Sequence, residues 1–163
     1  MLPLQFALEL ENSISKQIME LDAAHLVNTQ AISLINNFQK ELLQFLSMAN
    51  QIDSDIATYP VVDESLLLGP DSNWQKAVEN TVVASNSLRT STRLWSVYAL
   101  INKSIQFYQQ AAANSVQPQT RLFFNSLSHV KKILLMRLGG LIKIYDNHYW
   151  GELGFAPFLL GKD

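Results

Sequence analysis

Cysteine is absent from the 163 residues, which excludes disulfides, thiolate metal sites and a cysteine nucleophile. Glycine and proline are scarce, at 6 and 5 residues, too few for a chain built mainly of turns. Charge is sparse as well. Asp, Glu, Lys and Arg make up 16%, against roughly 25% in ordinary soluble domains. The polar surface must therefore rest on Asn, Gln, Ser and Thr, and a second subunit is expected to cover some apolar surface. Acidic residues number 14 and basic ones 12, a net charge of −2, which argues against a broad phosphate-binding footprint and so against nucleic acid as a partner. No apolar run approaches the ~20 residues of a membrane span, and no basic stretch introduces an apolar one near Met1. Neither a span nor a secretory leader is expected, and the expected location is cytoplasmic. What is present is a hydrophobic set of 48%, too rich for a disordered chain. A chain of this length can bury a sizeable core in one domain.

The apolar positions recur with helical spacing. Leu4, Ala7, Glu11, Ile14, Ile18, Leu21 and His25 step by threes and fours, which is one face of a helix. Asn28 and Thr29 offer N-cap oxygens for a second helix, with a stripe of Ile35, Phe38, Leu42, Phe45, Ala49, Ile52 and Ile56. Tyr59–Pro60 ends it, because a residue before proline avoids the helical region. Residues 60 to 72 read as a long loop. Val61, Val62 and the run Leu66 to Leu68 make it too apolar for a free linker, so it is expected to lie across the helices.

Helical character resumes near Trp74 and persists to Asn114, with an interruption expected around Ser85 to Ser91, where small polar residues cluster. A clear stripe follows at Leu94, Val97, Ile101, Ile105, Tyr108 and Ala112. Gln117–Pro118 opens the last helix, with a stripe of Phe123, Leu127, Val130, Leu134, Leu138, Leu141 and Tyr145. Gly139–Gly140 inside it predicts a kink or a close helix contact, since glycine there costs about 1 kcal/mol against alanine.

Two helical hairpins joined by a long connection imply an all-α four-helix bundle. The expected layout is one domain over 1–163: a first hairpin at 1–58, a crossover loop at 59–73, a second hairpin at 74–147 and an apolar tail at 148–163. A faint internal echo pairs Asn12-Ser13-Ile14 with Lys103-Ser104-Ile105, and Leu34-Ile35-Asn36 with Leu100-Ile101-Asn102.

The segment from Ala99 through Lys103-Ser104-Ile105-Gln106-Phe107-Tyr108, the Ala111-Ala112 pair, the Pro118 turn and Phe124 to Ser128 resembles the rubrerythrin-like branch of the ferritin-like superfamily. That resemblance covers about residues 95 to 135 and implies a ferritin-like bundle. It also implies a di-iron site built from inward carboxylates and histidines. In that family an Ala-Leu-x-x-Glu-Lys-x-Ser-Ile-x-Phe-Tyr-like helix is followed by Glu-x-x-His. Carried over residue by residue, the first Glu falls on Ile101, and the Glu-x-x-His pair falls on Lys131 and Leu134. None can ligate iron as the pattern requires. In the first hairpin Glu11 fits, while the inward positions of its partner helix are Phe38 and Leu42. The implied site is degenerate and overgrown with hydrocarbon, and no metal or other cofactor is expected.

Glu11 and His25 are the two polar members of the first stripe, and Asp22-x-x-His25 has an i, i+3 spacing compatible with one metal contact pair. They are either remnant ligands, or contacts to a small molecule, or polar groups satisfied at the end of a stripe. His129 with Lys132, ahead of Leu138-Gly139, also resembles the His-x-x-Lys…Leu-Gly pattern of histidine phosphotransfer domains. There an exposed His takes phosphate and Lys offsets its charge. Here Ile133 stands where that family has a small residue. The ordinary reading is a surface His beside lysines. Trp95, Tyr98, Phe107 and Tyr108 read as packing, and His148, Tyr149 and Trp150 as a helix cap or interface. No P-loop, dinucleotide fingerprint or nucleophile elbow occurs.

The expected function is therefore non-catalytic: a ferritin-like homodimer that binds a protein partner or an apolar small molecule. The alternatives are a metal-binding or redox protein with a reduced site near Glu11 and His25, and a phosphotransfer protein using His129. The apolar loop and the tail at Phe155, Phe158, Leu159 and Leu160 supply the expected dimer contact.

Overall fold

The structure, a computed structural model, describes residues 2–23, 29–50, 59–81 and 87–152. These residues are all-α, in six helices: α1 Pro3–Ala23, α2 Thr29–Asn50, α3 Glu64–Leu68, α4 Asp71–Glu79, α5 Ser87–Ala113 and α6 Pro118–Glu152. Proline heads both α1 and α6, where its fixed φ suits the first turn and its missing N–H would have no partner in the helix anyway. At the head of α1 the Leu2 N–H donates to Gln5 Oε1 at 3.3 Å. At the α5–α6 turn Ser115 Oγ donates to the Ala111 carbonyl at 2.6 Å, and Arg121 Nη2 to the Ser115 carbonyl at 3.0 Å. Carbonyls left open by the end of α5 and the turn are thereby satisfied.

The four long helices bury the faces that their spacing specifies. In α1 the residues Leu4, Ala7, Glu11, Ile14, Ile18 and Leu21 are buried, and in α6 every stripe position from Phe123 to Tyr145 is buried. α1 packs against α2 and α5, and α5 against α6. Side chains join α2 to α6: the Phe45 and Phe123 rings stack with centroids 5.9 Å apart, offset stacking being a favoured aromatic geometry. Ile52, Ile56 and the tail from Leu153 onward lie outside the described residues.

The segment read as a loop over 60 to 72 contains α3 and the start of α4. A helix of five residues is too short to show a period, so spacing could not reveal it. Asp63 starts it by accepting the Ser65 N–H at 3.1 Å. Gly69 ends it with φ +66, a left-handed conformation that glycine adopts without Cβ strain. Arg137 of α6 holds this corner down. Its Nη1 donates to the Leu68 carbonyl at 2.8 Å and its Nη2 lies 3.6 Å from Asp71 Oδ1. Val62, Leu67 and Leu68 pack on the core, while Val61 is 87% exposed.

Two further boundaries differ from the sequence reading. The stretch that resumes near Trp74 is interrupted as expected, but earlier in the chain: α4 ends at the Asn80 cap, and residues 87–91 of the small polar cluster are already helical in α5. The last helix runs on to Glu152, so His148, Tyr149 and Trp150 are helical rather than tail. Gly139 and Gly140 do not mark a close helix contact: a Cβ on Gly139 would meet Tyr98 Cε2 of α5 at an ordinary van der Waals distance of 3.6 Å, and one on Gly140 would meet nothing within 4 Å. Trp95, expected in the core, is 47% exposed. It lies edge-on to Tyr98 with its indole N–H donating to Asp146 Oδ2 at 3.3 Å, an amphipathic ring with one wet edge. No helix among the described residues is long and apolar enough to cross a membrane.

Candidate functional site

A polar cluster sits inside the apolar core, with one residue from each long helix: Glu11 on α1, Gln39 on α2, Tyr108 on α5 and Lys131 on α6. The Glu11 carboxylate is its hub. Oε1 accepts the Tyr108 hydroxyl at 2.8 Å. Oε2 accepts Lys131 Nζ at 2.9 Å and Gln39 Nε2 at 2.7 Å. Gln39 Nε2 donates a second time, to the Glu11 main-chain carbonyl at 3.0 Å. The side chains of Glu11 and Lys131 are both 0% exposed.

Such a pair persists in a dry interior only when its remaining hydrogen-bonding capacity is well used. The carboxylate meets that condition with three donors. The ammonium has less: among the described residues, one hydrogen bond and the face of Phe38, whose centroid is 5.8 Å away, within reach of a cation–π attraction. Among the described residues nothing donates to Gln39 Oε1, which is buried. Aromatic rings wall the cluster: Tyr108 stacks on Phe124 with centroids 6.3 Å apart.

Burial, then the Glu11 charge, then the hydrogen bond to Glu11 hold the Tyr108 hydroxyl well above its ordinary pKa of 10.0. All three causes oppose a phenolate beside a carboxylate. A group whose pKa is raised on folding contributes stability that is fully present below its unfolded value and lost as pH rises through its folded value. Stability should therefore fall as pH climbs past about 10, the ordinary tyrosine value. Urea denaturation at a series of alkaline pH values measures this, and Tyr108→Phe should flatten the decline relative to wild type. An equal slope in both proteins would assign the decline to other groups.

Glu11 is thus a satisfied core carboxylate and does not reach solvent. His25, the other polar member of its stripe, lies outside the described residues, as does the Asp22 side chain. The positions that the ferritin-like resemblance assigns to iron ligands hold Ile101, Lys131 and Leu134, all buried. A di-iron centre does not fit this set. Two of these side chains are hydrocarbon, and the third is a cation that already occupies Glu11. No three His, Asp or Glu side chains group as a metal cluster among the described residues.

His129 is exposed on α6. Its Nε2 lies 3.4 Å from Glu64 Oε2 of α3, with side chains 59% and 39% exposed. A carboxylate there would repel an incoming phosphoryl group. Lys132 is exposed and Ile133 half-buried. An open groove of about 430 Å³ runs between α2 and α4, lined by Gln30, Ser33, Leu34, Lys76, Ala77 and Asn80 among others.

Sequence reasoning missed Gln39, and it placed Lys131 where the resemblance calls for a carboxylate without seeing that it pairs with Glu11. Both carry helical spacing within buried faces: Ile35, Gln39, Leu42 and Leu46 on α2, and Phe124, Leu127, Lys131, Leu134 and Leu138 on α6. No family model, curated protein or solved structure matches the chain.

Proposed function

We propose that this chain is a non-catalytic, ferritin-like four-helix bundle in which an internal ammonium has taken over the part of a metal, and that it works by binding a protein partner or an apolar small molecule. The observation that carries this reading is the Lys131–Glu11 pair, at 2.9 Å. A carboxylate of α1 that could have held a cation is neutralised from within the chain, at a position where the resemblance calls for a second carboxylate. With Tyr108 and Gln39 also bound to it, Glu11 has no further role to offer a ligand. Any binding then falls to the surface, where Phe6, Trp95, Met136 and Trp150 are exposed.

The test is iron. Protein purified after growth with added iron should carry none in stoichiometric amount after gel filtration. Stoichiometric iron with a carboxylate-bridged absorption or Mössbauer signature would overturn the reading.

The same reading includes a homodimer, supported by the low charged share of 16% and by the apolar residues of the tail; Val62, Leu67 and Leu68 of the loop are packed on this chain's own core, while Val61 is exposed. A stable contact buries over about 1,000 Å². Analytical ultracentrifugation at micromolar concentration should give twice the 18.4 kDa chain mass, and a chain that stays monomeric sinks the dimer. Phe158→Asp with Leu160→Asp should dissociate it; a dimer indifferent to both moves the contact off the tail.

A further inference from the structure

The central cluster holds more than an ion pair needs. A primary amine, a carboxamide and a carboxylate lie together out of water, and Lys131 Nζ and Gln39 Nε2 both bond to one oxygen, Glu11 Oε2, at 2.9 and 2.7 Å. One oxygen is thus in contact with the nitrogen that would attack and the nitrogen that would leave. Gln39 Oε1 is buried with no donor on it among the described residues, although Gln39 is fully buried. A carboxamide oxygen left in that state is under-satisfied in its ground state.

We propose that Lys131 and Gln39 join through an isopeptide bond, formed inside the folded chain with Glu11 carrying the protons. Glu11 Oε2 takes a proton from Nζ, which turns two buried charges into a neutral amine and a neutral carboxylic acid. A dry interior favours that exchange relative to water. The protonated Glu11 is now a donor, and Gln39 Oε1 is the acceptor without a partner in the carboxamide beside it. A hydrogen bond between them polarises the carbonyl, as a general acid does.

Nζ then attacks Gln39 Cδ to form the new C–N bond, and the Cδ–Nε2 bond breaks. The proton on Glu11 passes to the departing nitrogen, Nζ gives one of its protons to Glu11 in exchange, and ammonia leaves. The lysine ammonium, the Glu11 carboxylate and the primary amide become a secondary amide, a neutral Glu11 acid and ammonia, with no oxidant or reductant involved. Burial supports the step as well: the fold holds the three groups together, as an intramolecular reaction requires, and keeps water from competing for the carbonyl.

The bond would tie α2 to α6 covalently, and its test does not depend on the binding reading, since it measures neither iron nor association. The intact purified protein, weighed by high-resolution mass spectrometry in denaturant, should be lighter than its sequence by one ammonia, about 17 Da. Proteolysis should yield a branched peptide joining the segments around Gln39 and Lys131. Lys131→Arg and Gln39→Met should each have the full sequence mass. Glu11→Gln, checked for helical circular dichroism, should also keep its full mass. A wild-type chain of full mass after prolonged incubation in its folded state overturns the proposal. So does loss of one water, about 18 Da, with Lys131 linked to Glu11 instead. A folded Glu11→Gln that still loses ammonia removes Glu11 from the mechanism.

Discussion

Relative to the unlinked wild-type chain of full mass, in which Lys131 is still the counter-ion of Glu11, Lys131→Met is expected to destabilise the protein by about 3–5 kcal/mol, the range for breaking a buried ion pair by removing one partner. Methionine comes close to filling the lysine stem's volume, so little of the loss is cavity. It comes from Glu11, whose carboxylate would stay at 0% exposure with its counter-ion gone. Tyr108 and Gln39 would still donate to it, but neither carries a charge. Urea denaturation of both proteins at one pH measures the effect. A loss under about 1 kcal/mol would place the pair in the class of solvent-screened bridges.

The companion variant separates the pair's attraction from the cost of stranding its partner. Glu11→Leu combined with Lys131→Met removes both charges, and such hydrophobic replacements are often neutral or stabilising by about 1–4 kcal/mol. Here the gain is limited by what else bonds to Glu11. The Tyr108 hydroxyl would be left buried without its acceptor, at a cost of about 1–3 kcal/mol. Adding Tyr108→Phe removes that group. Gln39 Nε2 keeps the Glu11 main-chain carbonyl, which survives any substitution at that position. The triple variant should therefore be at least as stable as the double one.

The same cluster marks the limit of what residue spacing conveys. Periodicity reveals which face of a helix turns inward, because apolar side chains leave water for that face alone. Every stripe position of α5 from Leu94 to Ala112 is accordingly buried. Periodicity does not reveal an inward polar residue, because Lys and Gln at a buried register usually extend their polar ends to water. Lys131 cannot do so, since Phe38 and Glu11 meet its ammonium inside the core. Glu11 was legible as an inward carboxylate; its partners came from three other helices, between 28 and 120 residues away in the chain. Nothing local in the sequence connects such positions. Trp95 shows the converse. Its register is that of a packing residue, but Asp146, 51 residues on, gives its indole N–H a partner at the surface.

Leu134→Ala is expected to lower stability by about 2–5 kcal/mol, through lost transfer energy and the cavity left behind. Leu134 is 2% exposed and Leu138, one turn further along α6, is 1% exposed, so burial alone predicts equal effects for the two truncations. The neighbours on the helix differ. Leu134 stands three residues from Lys131, a spacing that puts both side chains on one face. A cavity opened beside a buried ammonium has polar groups to hydrate it, and water enters a cavity only where polar partners exist. Leu134→Ala should therefore fall in the lower half of the range and Leu138→Ala in the upper half. Met136, 77% exposed, supplies the control: Met136→Ala should stay within about 0.5 kcal/mol, as surface changes do. Urea denaturation of the three variants with a shared slope gives the comparison. A Leu134→Ala effect as small as that of Met136→Ala would mean that this face of α6 does not line the core. A larger effect at Leu134 than at Leu138 would mean that its cavity stays dry despite the ion pair beside it.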